Sequence, residues 1–242
     1  MTPFEPEAVR AALGRLEGLV LPLVLIGGIR LPGFSVAADL RLAAEVLQPG
    51  GSLAYRGGMH QMLRRMGSAP GVLLSAQPER LLSLALAAVE HRLPSVAMPR
   101  REAGPALRRV LRELGCELLG AGELADARGE AARRGFLLVG DEAERDFALG
   151  IASAGFELAL GLPSDLDLLI APEDFVAAVE AGWKAGGRAA GRVVGAAPRG
   201  SLDSLRRALL RGHRILGGPT SLAVLDAALR QAGGRVGVLL SE

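Results

Sequence analysis

The chain has 242 residues, half of them hydrophobic, and a formal net charge of only +2. Aromatic residues make up 3% of it, which is too few for base-stacking surfaces, and its arginines lie beside glutamates as on solvated helix faces. No apolar run approaches the roughly 20 residues that cross a bilayer. We therefore expect a globular protein with neither a nucleic-acid nor a membrane partner.

The cysteine and histidine content limits the kinds of disulfide and metal site that the chain can form. The single cysteine, Cys116, excludes an internal disulfide and a Cys-based zinc site, and its apolar neighbours predict a small buried side chain. The three histidines, His60, His91 and His213, show no metal-ligand spacing, so no metal site is expected. The N-terminal segment has acidic residues where a signal peptide has basic ones, so we expect a cytoplasmic protein.

Short apolar segments alternate with helical ones along most of the chain. Strands are predicted at 72–74, 95–98, 117–119, 136–139, 166–170, 192–196 and 236–240. Helices are predicted at 78–91, 106–114, 123–134, 151–160, 175–184, 202–210 and 221–231. This alternation, with short Gly/Pro turns, is typical of an α/β protein with parallel sheets.

One motif points to a family. The segment Gly51-Ser52-Leu53-Ala54-Tyr55-Arg56-Gly57-Gly58 resembles the Gly-Ser-Phe-Lys-x-Arg-Gly-Ala signature of the β-family (fold type II) pyridoxal-phosphate enzymes, which include threonine dehydratases, serine racemases and cysteine synthases. Residues 75–79 are similar to the family's Ser-x-Gly-Asn-His segment. Further similar segments follow in the family's order, at 21–23, 43–52, 94–99, 111–117, 195–198 and 238–241.

The resemblance implies a fold and a domain organisation. It implies an α/β protein with two open, twisted, mostly parallel sheets and helices on both faces, the tryptophan synthase β-like fold. A small domain at 63–135 would be inserted in a truncated large domain made of 1–62 and 136–242, with the missing stretch between Pro198 and Gly218 and no tail after Ser241. A homodimer is expected. The excess of arginine over the one lysine, Lys184, is interpreted as a thermophilic or genome-wide bias.

The residues that carry the family's chemistry are replaced. Members use a lysine to form the Schiff base with the cofactor, and Ala54 stands at that position. Their glycine-rich phosphate loop corresponds to Ala171-Pro172-Glu173-Asp174, whose two carboxylates would repel a phosphate dianion. Pro78 replaces the asparagine that binds the pyridine hydroxyl. We therefore expect no catalytic residues and no bound cofactor, as in a pseudoenzyme.

Other positions of the inherited site retain polar side chains. Ser75 matches the serine that binds the substrate carboxylate, although a simple helix start is the preferred explanation. Ser52 and Arg56 keep the frame of the signature, and Arg56 is expected to anchor the loop or helix start before a turn at Gly57-Gly58. The candidate ligand-binding residues are Ser52, Arg56, Ser75, Gln77 and Ser241. Lys184 is expected on the surface near a helix end.

Three functions stay open at this point. The preferred one is a non-catalytic homologue of the amino-acid dehydratases that binds a small anionic or amino-acid-like ligand or a protein partner. The alternative is a pyridoxal-phosphate-dependent lyase or isomerase acting on serine- or threonine-like amino acids, which would need the cofactor to bind through Lys184 or non-covalently. The third is a purely structural or interaction role.

Overall fold

The computed structural model describes residues 4–27, 39–44, 48, 52–188, 193–197, 205, 219–230 and 235–240. Its helices are α1 (Pro6–Leu16), α2 (Ala54–Arg65), α3 (Pro78–Glu90), α4 (Pro105–Glu113), α5 (Leu124–Arg134), α6 (Glu144–Gly161), α7 (Val176–Ala185) and α8 (Pro219–Leu229). Its strands are β1 (Val24–Ile26), β2 (Asp39–Ala44), β3 (Val72–Ser75), β4 (Ser95–Ala97), β5 (Glu117–Leu118), β6 (Leu137–Gly140), β7 (Leu168–Pro172), β8 (Val193–Ala196) and β9 (Arg235–Leu240).

The chain forms two compact units. The first consists of residues 1–14, 20–53 and 151–242, and the second of residues 15–19 and 54–150. The stretch 63–135, expected as the small domain, lies within the second unit. That unit also takes in α2 and β6, because β6 pairs with β3 and α2 packs against α3.

The first unit contains a five-stranded sheet in the order β1-β2-β9-β7-β8. Among the described strands of this unit, only the β1–β2 pair is antiparallel. Val238 of β9 lies opposite Leu42 on one side and Ile170 on the other, and all three are fully buried. Leu222 and Leu225 of α8 pack against them, so the apolar core lies between this sheet and α8.

The second unit contains a four-stranded, all-parallel sheet in the order β5-β4-β3-β6. Every residue of β3 is buried, as expected for a central strand covered on both faces. Leu73 and Leu138 from neighbouring strands pack with Ala127 and Ala131 of α5. The small alanines let α5 lie close to the sheet.

Helix α2 is enclosed along most of its length, since every residue from Ala54 to Met62 is buried. The expected turn at Gly57-Gly58 was therefore wrong: both glycines are helical. A Cβ on Gly57 would lie 2.9 Å from the Phe147 ring, and one on Gly58 would lie 2.9 Å from the backbone of Ser83. The glycines let α6 and α3 approach α2 closely, and this tertiary packing outweighs their poor helix propensity.

The expected α/β class with two mostly parallel sheets is confirmed. The predicted helices and strands between 72 and 196 are present, with ends that differ by a few residues except in α6, which begins seven residues earlier. Within the predicted helix 202–210 only Leu205 is described, and the expected deletion between Pro198 and Gly218 otherwise falls on residues outside the described part. No described helix is long and apolar enough to cross a membrane.

Candidate functional site

Two strand ends of the second unit meet at one edge of its sheet. Strand β3 ends at Ser75 and β6 ends at Gly140, and these two residues are register partners in the parallel ladder. In open parallel sheets, ligands bind outside the carboxyl ends of the strands. We call residues 75–77 together with 140–142 the carboxyl edge.

Ser75 contributes a hydroxyl that lacks a partner. Its side chain is fully buried, and among the described residues its Oγ has no hydrogen-bond partner. Two residues later Gln77, which is exposed, occupies the N-cap of α3 without a side-chain capping bond. The first residue of α3, Pro78, has no N–H, and the amide of Arg80 donates a 2.9 Å hydrogen bond to the backbone oxygen of Gln77.

Gly140 shapes the other half of the carboxyl edge. It has a φ of 159°, and a Cβ at this position would overlap the backbone oxygen of Ser75. Only glycine allows the two strand ends to approach so closely. Its carbonyl oxygen accepts a 2.5 Å hydrogen bond from Nε2 of Gln61, a buried residue of α2.

Asp141 follows Gly140 and carries a second buried oxygen. Its Oδ1 has no hydrogen-bond partner among the described residues. Nη1 of Arg80 lies 3.7 Å from this oxygen, and Nη2 of the same guanidinium pairs with Glu144 at 3.3 Å. The guanidinium carbon of Arg80 lies 4.7 Å from the centre of the Phe147 ring, which holds the cation over the turn.

Arginines offset the remaining carboxylates of this segment. Arg65 of α2 pairs with Glu142 at 3.3 Å and with Asp146 at 3.4 Å. Arg64 pairs with Asp146 and Arg128 with Glu142. The described residues contain no group of side chains suited to a metal ion.

His60 fixes α2 to the start of α6. The ring is fully buried, and Nδ1 lies 2.7 Å from the backbone oxygen of Asp146. A carbonyl only accepts, so Nδ1 carries the proton and Nε2 is left with a buried lone pair that has no partner in the described chain. Burial lowers the pKa of His60 below its usual value, although the Asp146 contacts act in the opposite direction.

The signature residues lie at the start of α2. Ala54 is its first residue and is 4% exposed, while Arg56 is completely buried in the first turn. Ser52 precedes the helix and is half-buried. The neighbouring Tyr55 is also buried, and its pKa is raised to about 12 by burial and by the charge of Glu90.

The segment expected at the phosphate loop belongs to the first unit. Ala171 and Pro172 are the last residues of β7 and are buried, so they lie in a strand and not in a loop. Glu173 and Asp174 form an exposed single turn before α7, and Glu173 packs against Gly195 of β8.

The remaining candidate positions are spread over the molecule. Lys184 of α7 pairs with Glu180 at 2.8 Å and is half-exposed, in line with its expected surface position. Ser241 lies outside the described residues. Of the candidate ligand-binding residues, Ser75 and Gln77 lie together at the carboxyl edge; Ser52 belongs to the other unit, and Arg56 is enclosed within α2.

Cys116 is buried, as its neighbours predicted. The residue is 3% exposed, and its thiol donates a long 3.6 Å contact to the backbone oxygen of Glu117. Burial raises the pKa of the thiol, which leaves little of the reactive thiolate at neutral pH.

Several known structures have the same architecture as this chain. Maize serine racemase superimposes with a TM-score of 0.78 at 14% identity, over 98% of this chain and 94% of the racemase. A serine racemase from Dictyostelium discoideum gives a TM-score of 0.75 at 13% identity, over 98% and 97% of the two chains. A threonine deaminase from T.th. gives a TM-score of 0.73 at 18% identity, over 98% and 97%.

The chain has the fold of these proteins. The fold of the fold type II pyridoxal-phosphate enzymes, predicted from the signature, is therefore confirmed. No protein-family model matches the sequence, and no curated protein matches it either. At identities below a fifth, the similarity to the serine racemases and the threonine deaminase is one of fold, and the function has to be argued from the site.

Sequence reasoning missed one residue of the carboxyl edge and two residues that contact it. Asp141 and its partner Arg80, and Gln61 of α2, were not singled out. The signal for Asp141 was present: this charged residue comes two positions after the predicted apolar strand 136–139, where ligand-binding side chains of parallel sheets are found. The roles of Arg80 and Gln61 depend on contacts across 61 and 79 positions, which no local pattern encodes.

Proposed function

We propose that this protein binds a small carboxylate ligand at the carboxyl edge of its second unit and does so without pyridoxal phosphate. The observation that carries the proposal is the buried Oγ of Ser75, which has no partner within the described chain. A buried hydroxyl without a hydrogen bond costs about 1–3 kcal/mol. A ligand that bonds it would recover this cost.

The surroundings of Ser75 favour an anion. Ser75 lies just before the start of α3, where the positive end of the helix dipole favours a negative charge. The carboxylates that follow Gly140 are each paired with at least one arginine, so they do not present an unbalanced negative charge. A small carboxylate is therefore the ligand class that the edge suits best.

The residues at the positions inherited from the fold do not fit pyridoxal phosphate. Ala54, at the lysine position, has a methyl side chain and cannot form an imine. The segment aligned with the phosphate loop presents Glu173 and Asp174, whose carboxylates would repel a dianion. Lys184 is engaged with Glu180 on the surface of α7. These residues support a ligand-binding homologue rather than a lyase or isomerase.

The Ser75 test separates a binding role from a structural one. Ser75→Ala should leave the free energy of unfolding unchanged or raise it by up to about 1 kcal/mol, because it removes an unpartnered buried hydroxyl. It should also weaken propionate binding, measured by thermal shift, by roughly fivefold or more. Ser83→Ala is the matched control, because its buried Oγ donates a 2.7 Å hydrogen bond to the backbone oxygen of Arg80; it should lower stability and keep propionate binding. Unchanged propionate binding in Ser75→Ala would overturn the proposal.

The cofactor part has its own test. The purified protein is incubated with pyridoxal phosphate, reduced with borohydride and analysed by mass spectrometry alongside Lys184→Arg. We expect no saturable adduct in either protein. Release of a keto acid from serine or threonine that is abolished in the Lys184 variant would instead establish the lyase alternative.

A further inference from the structure

His60 lies where helix α2 meets the first turns of α6. Its side chain is fully buried, and Nδ1 donates a 2.7 Å hydrogen bond to the backbone oxygen of Asp146. One turn further along α6, a Cβ added to Gly150 would lie 2.8 Å from the Cβ of His60 and would overlap the backbone oxygen of Arg56. The two helices are therefore in direct contact at this point, and the imidazole ring does not reach water unless this packing opens.

The buried ring fits this contact only in its neutral form. Nδ1 carries the one proton of the neutral ring, and Nε2 has no hydrogen-bond partner within the described residues. Protonation would turn Nε2 into a charged N–H donor that has no acceptor in this part of the chain. Burying an unpaired charge costs far more than burying an unpaired lone pair, so the contact between the helices opposes protonation.

The charges around His60 do not compensate for this cost. The backbone oxygen and the carboxylate of Asp146 favour the protonated ring, whereas Arg15, in the last turn of α1, and Arg64, on α2, disfavour it. Arg64 and Arg65 pair with Asp146 at 3.7 and 3.4 Å, so two cations already balance this carboxylate. Burial is the largest contribution, and it lowers the pKa of His60 in the folded protein.

We propose that His60 is an acid-operated switch between α2 and the start of α6: a proton on the ring stabilises an open form in which the segment 141–150 separates from α2. In the open form the ring is hydrated and binds the proton as the pH falls through about 6.5. Acid therefore favours the open form, and the closed form is fully favoured only above this pH. This inference goes beyond the proposed function and does not depend on it, because no ligand takes part in the contact.

The segment 141–150 is able to open without the rest of the second unit. Besides the His60 contact, it meets α2 through the Phe147 ring beside Gly57 and through the ion pairs of Arg65, and partly exposed ion pairs contribute little. The sheet is held by its own ladder between β3 and β6 and by the packing of α5, neither of which includes this segment. Opening one segment costs less than unfolding the whole unit.

Hydrogen–deuterium exchange of the full chain, followed by mass spectrometry at pH values of about 7.5 and 5.5, tests the switch. After correction for the intrinsic pH dependence of exchange, the open fraction of the segment 141–150 should be about tenfold larger at the lower pH, while α5 keeps its protection. His60→Asn, which retains a donor for the Asp146 carbonyl and does not titrate, should abolish this rise. The matched control is His91→Asn, because His91 is a partly exposed histidine of the same unit that also contacts α2, with Nε2 3.2 Å from Sδ of Met59; this variant should keep the rise.

A rise that is confined to the segment 141–150 and lost in His60→Asn supports the switch. The absence of a rise in the unaltered protein, or an equal rise in His60→Asn, overturns it. An equal rise in α5 overturns it as well, because acid would then unfold the whole unit. If His60→Asn fails to fold, the pH at which the rise begins in the unaltered protein decides, since a histidine titrates near 6.5 and carboxylates near about 4.

Discussion

Gln61, in the middle of α2, donates a 2.5 Å hydrogen bond from Nε2 to the carbonyl oxygen of Gly140, the last residue of β6. Both residues are buried. One helix of the second unit thus satisfies the last carbonyl of a strand, where the ladder no longer provides a partner. The bond also fixes the turn that leads to Asp141.

Loss of the hydrogen bond from Gln61 to Gly140 should destabilise the protein. Gln61→Met keeps the length of the side chain but leaves the Gly140 carbonyl buried and unsatisfied, so we expect the free energy of unfolding to fall by about 1–3 kcal/mol. Urea denaturation measures the change. The matched control is Gln77→Met, at an exposed position without a capping bond, which should change stability by less than about 0.5 kcal/mol. Equal effects of the two substitutions would contradict the role of Gln61.

His60 should make the second unit sensitive to acid. Its pKa is lowered in the folded protein, mainly by burial, so the unfolded chain binds the proton at a higher pH than the folded one. Stability is complete above the unfolded pKa of about 6.5 and falls as the pH drops through it, with a slope of at most about 1.4 kcal/mol per pH unit.

The pH test uses a side chain that does not titrate. His60→Asn retains an amide donor for the Asp146 carbonyl, and it should remove the part of the slope below a pH of about 6.5 that His60 causes. Chemical denaturation at a series of pH values between about 5 and 8 measures it. An identical slope in the variant would show that the acid sensitivity comes from other groups.

Two glycines set the spacing between α6 and α7 in the first unit. A Cβ on Gly155 would overlap the carbonyl of Val179, and one on Gly182 would overlap the carbonyl of Ala152. Gly182→Ala must push the helices apart, because backbone cannot yield as a flexible side chain does. We expect a loss of about 1–3 kcal/mol in calorimetry.

The control for Gly182→Ala is a substitution at a glycine that has no close neighbours. Gly129 in α5 is exposed, and a Cβ added to it would meet no described atom within 4 Å. Gly129→Ala should therefore raise stability by about 0.5–1 kcal/mol through helix propensity alone. A stabilising or neutral Gly182→Ala would show that the close helix contact is absent in solution.

Arg188 closes the C-terminal end of α6. Its guanidinium donates to the backbone oxygens of Ala159 at 2.8 Å and Pro163 at 3.0 Å, and also to that of Leu162. These carbonyls lie where the helix no longer provides donors. The guanidinium carbon lies 5.3 Å from the centre of the buried Trp183 ring.

Arg188→Ala should lower the free energy of unfolding by about 2–3 kcal/mol, because several carbonyls lose a charged donor. Arg188→Lys should recover only part of this, since one ammonium cannot reach the same three acceptors in a plane. Arg109→Ala, which breaks an exposed pair with Glu113, serves as the control and should cost about 0.3–0.5 kcal/mol. A loss in Arg188→Ala no larger than that of Arg109→Ala would refute the capping role.

The fold could be predicted from the sequence where each segment carries its own pattern. Alternation of apolar strands with amphipathic helices between 72 and 185 specified the elements, and the resemblance of 51–58 to a known signature specified the architecture. Helix α2 could not be predicted in the same way. Its Gly57 and Gly58 are turn formers locally, and only the contacts with Phe147 and Ser83 make glycine suitable in a helix.

The candidate site was only half predictable for a related reason. Ser75 and Gln77 follow one another in a segment that resembles a family motif, so the sequence identified them. Asp141 reaches the same edge through the pairing of β3 with β6, across more than 60 positions. The need for glycine at 140 arises from the backbone of Ser75. Such requirements become visible only when the strands are placed side by side.

The enclosed thiol of Cys116 makes this chain convenient for spectroscopy. Under native conditions a maleimide dye should not react with this buried thiol. A cysteine introduced at an exposed position, such as Gly129→Cys, would then be the labelled residue. The same protein, once denatured, would accept a second dye at 116. Counting dyes per molecule during exposure to urea would then report how early the second unit opens.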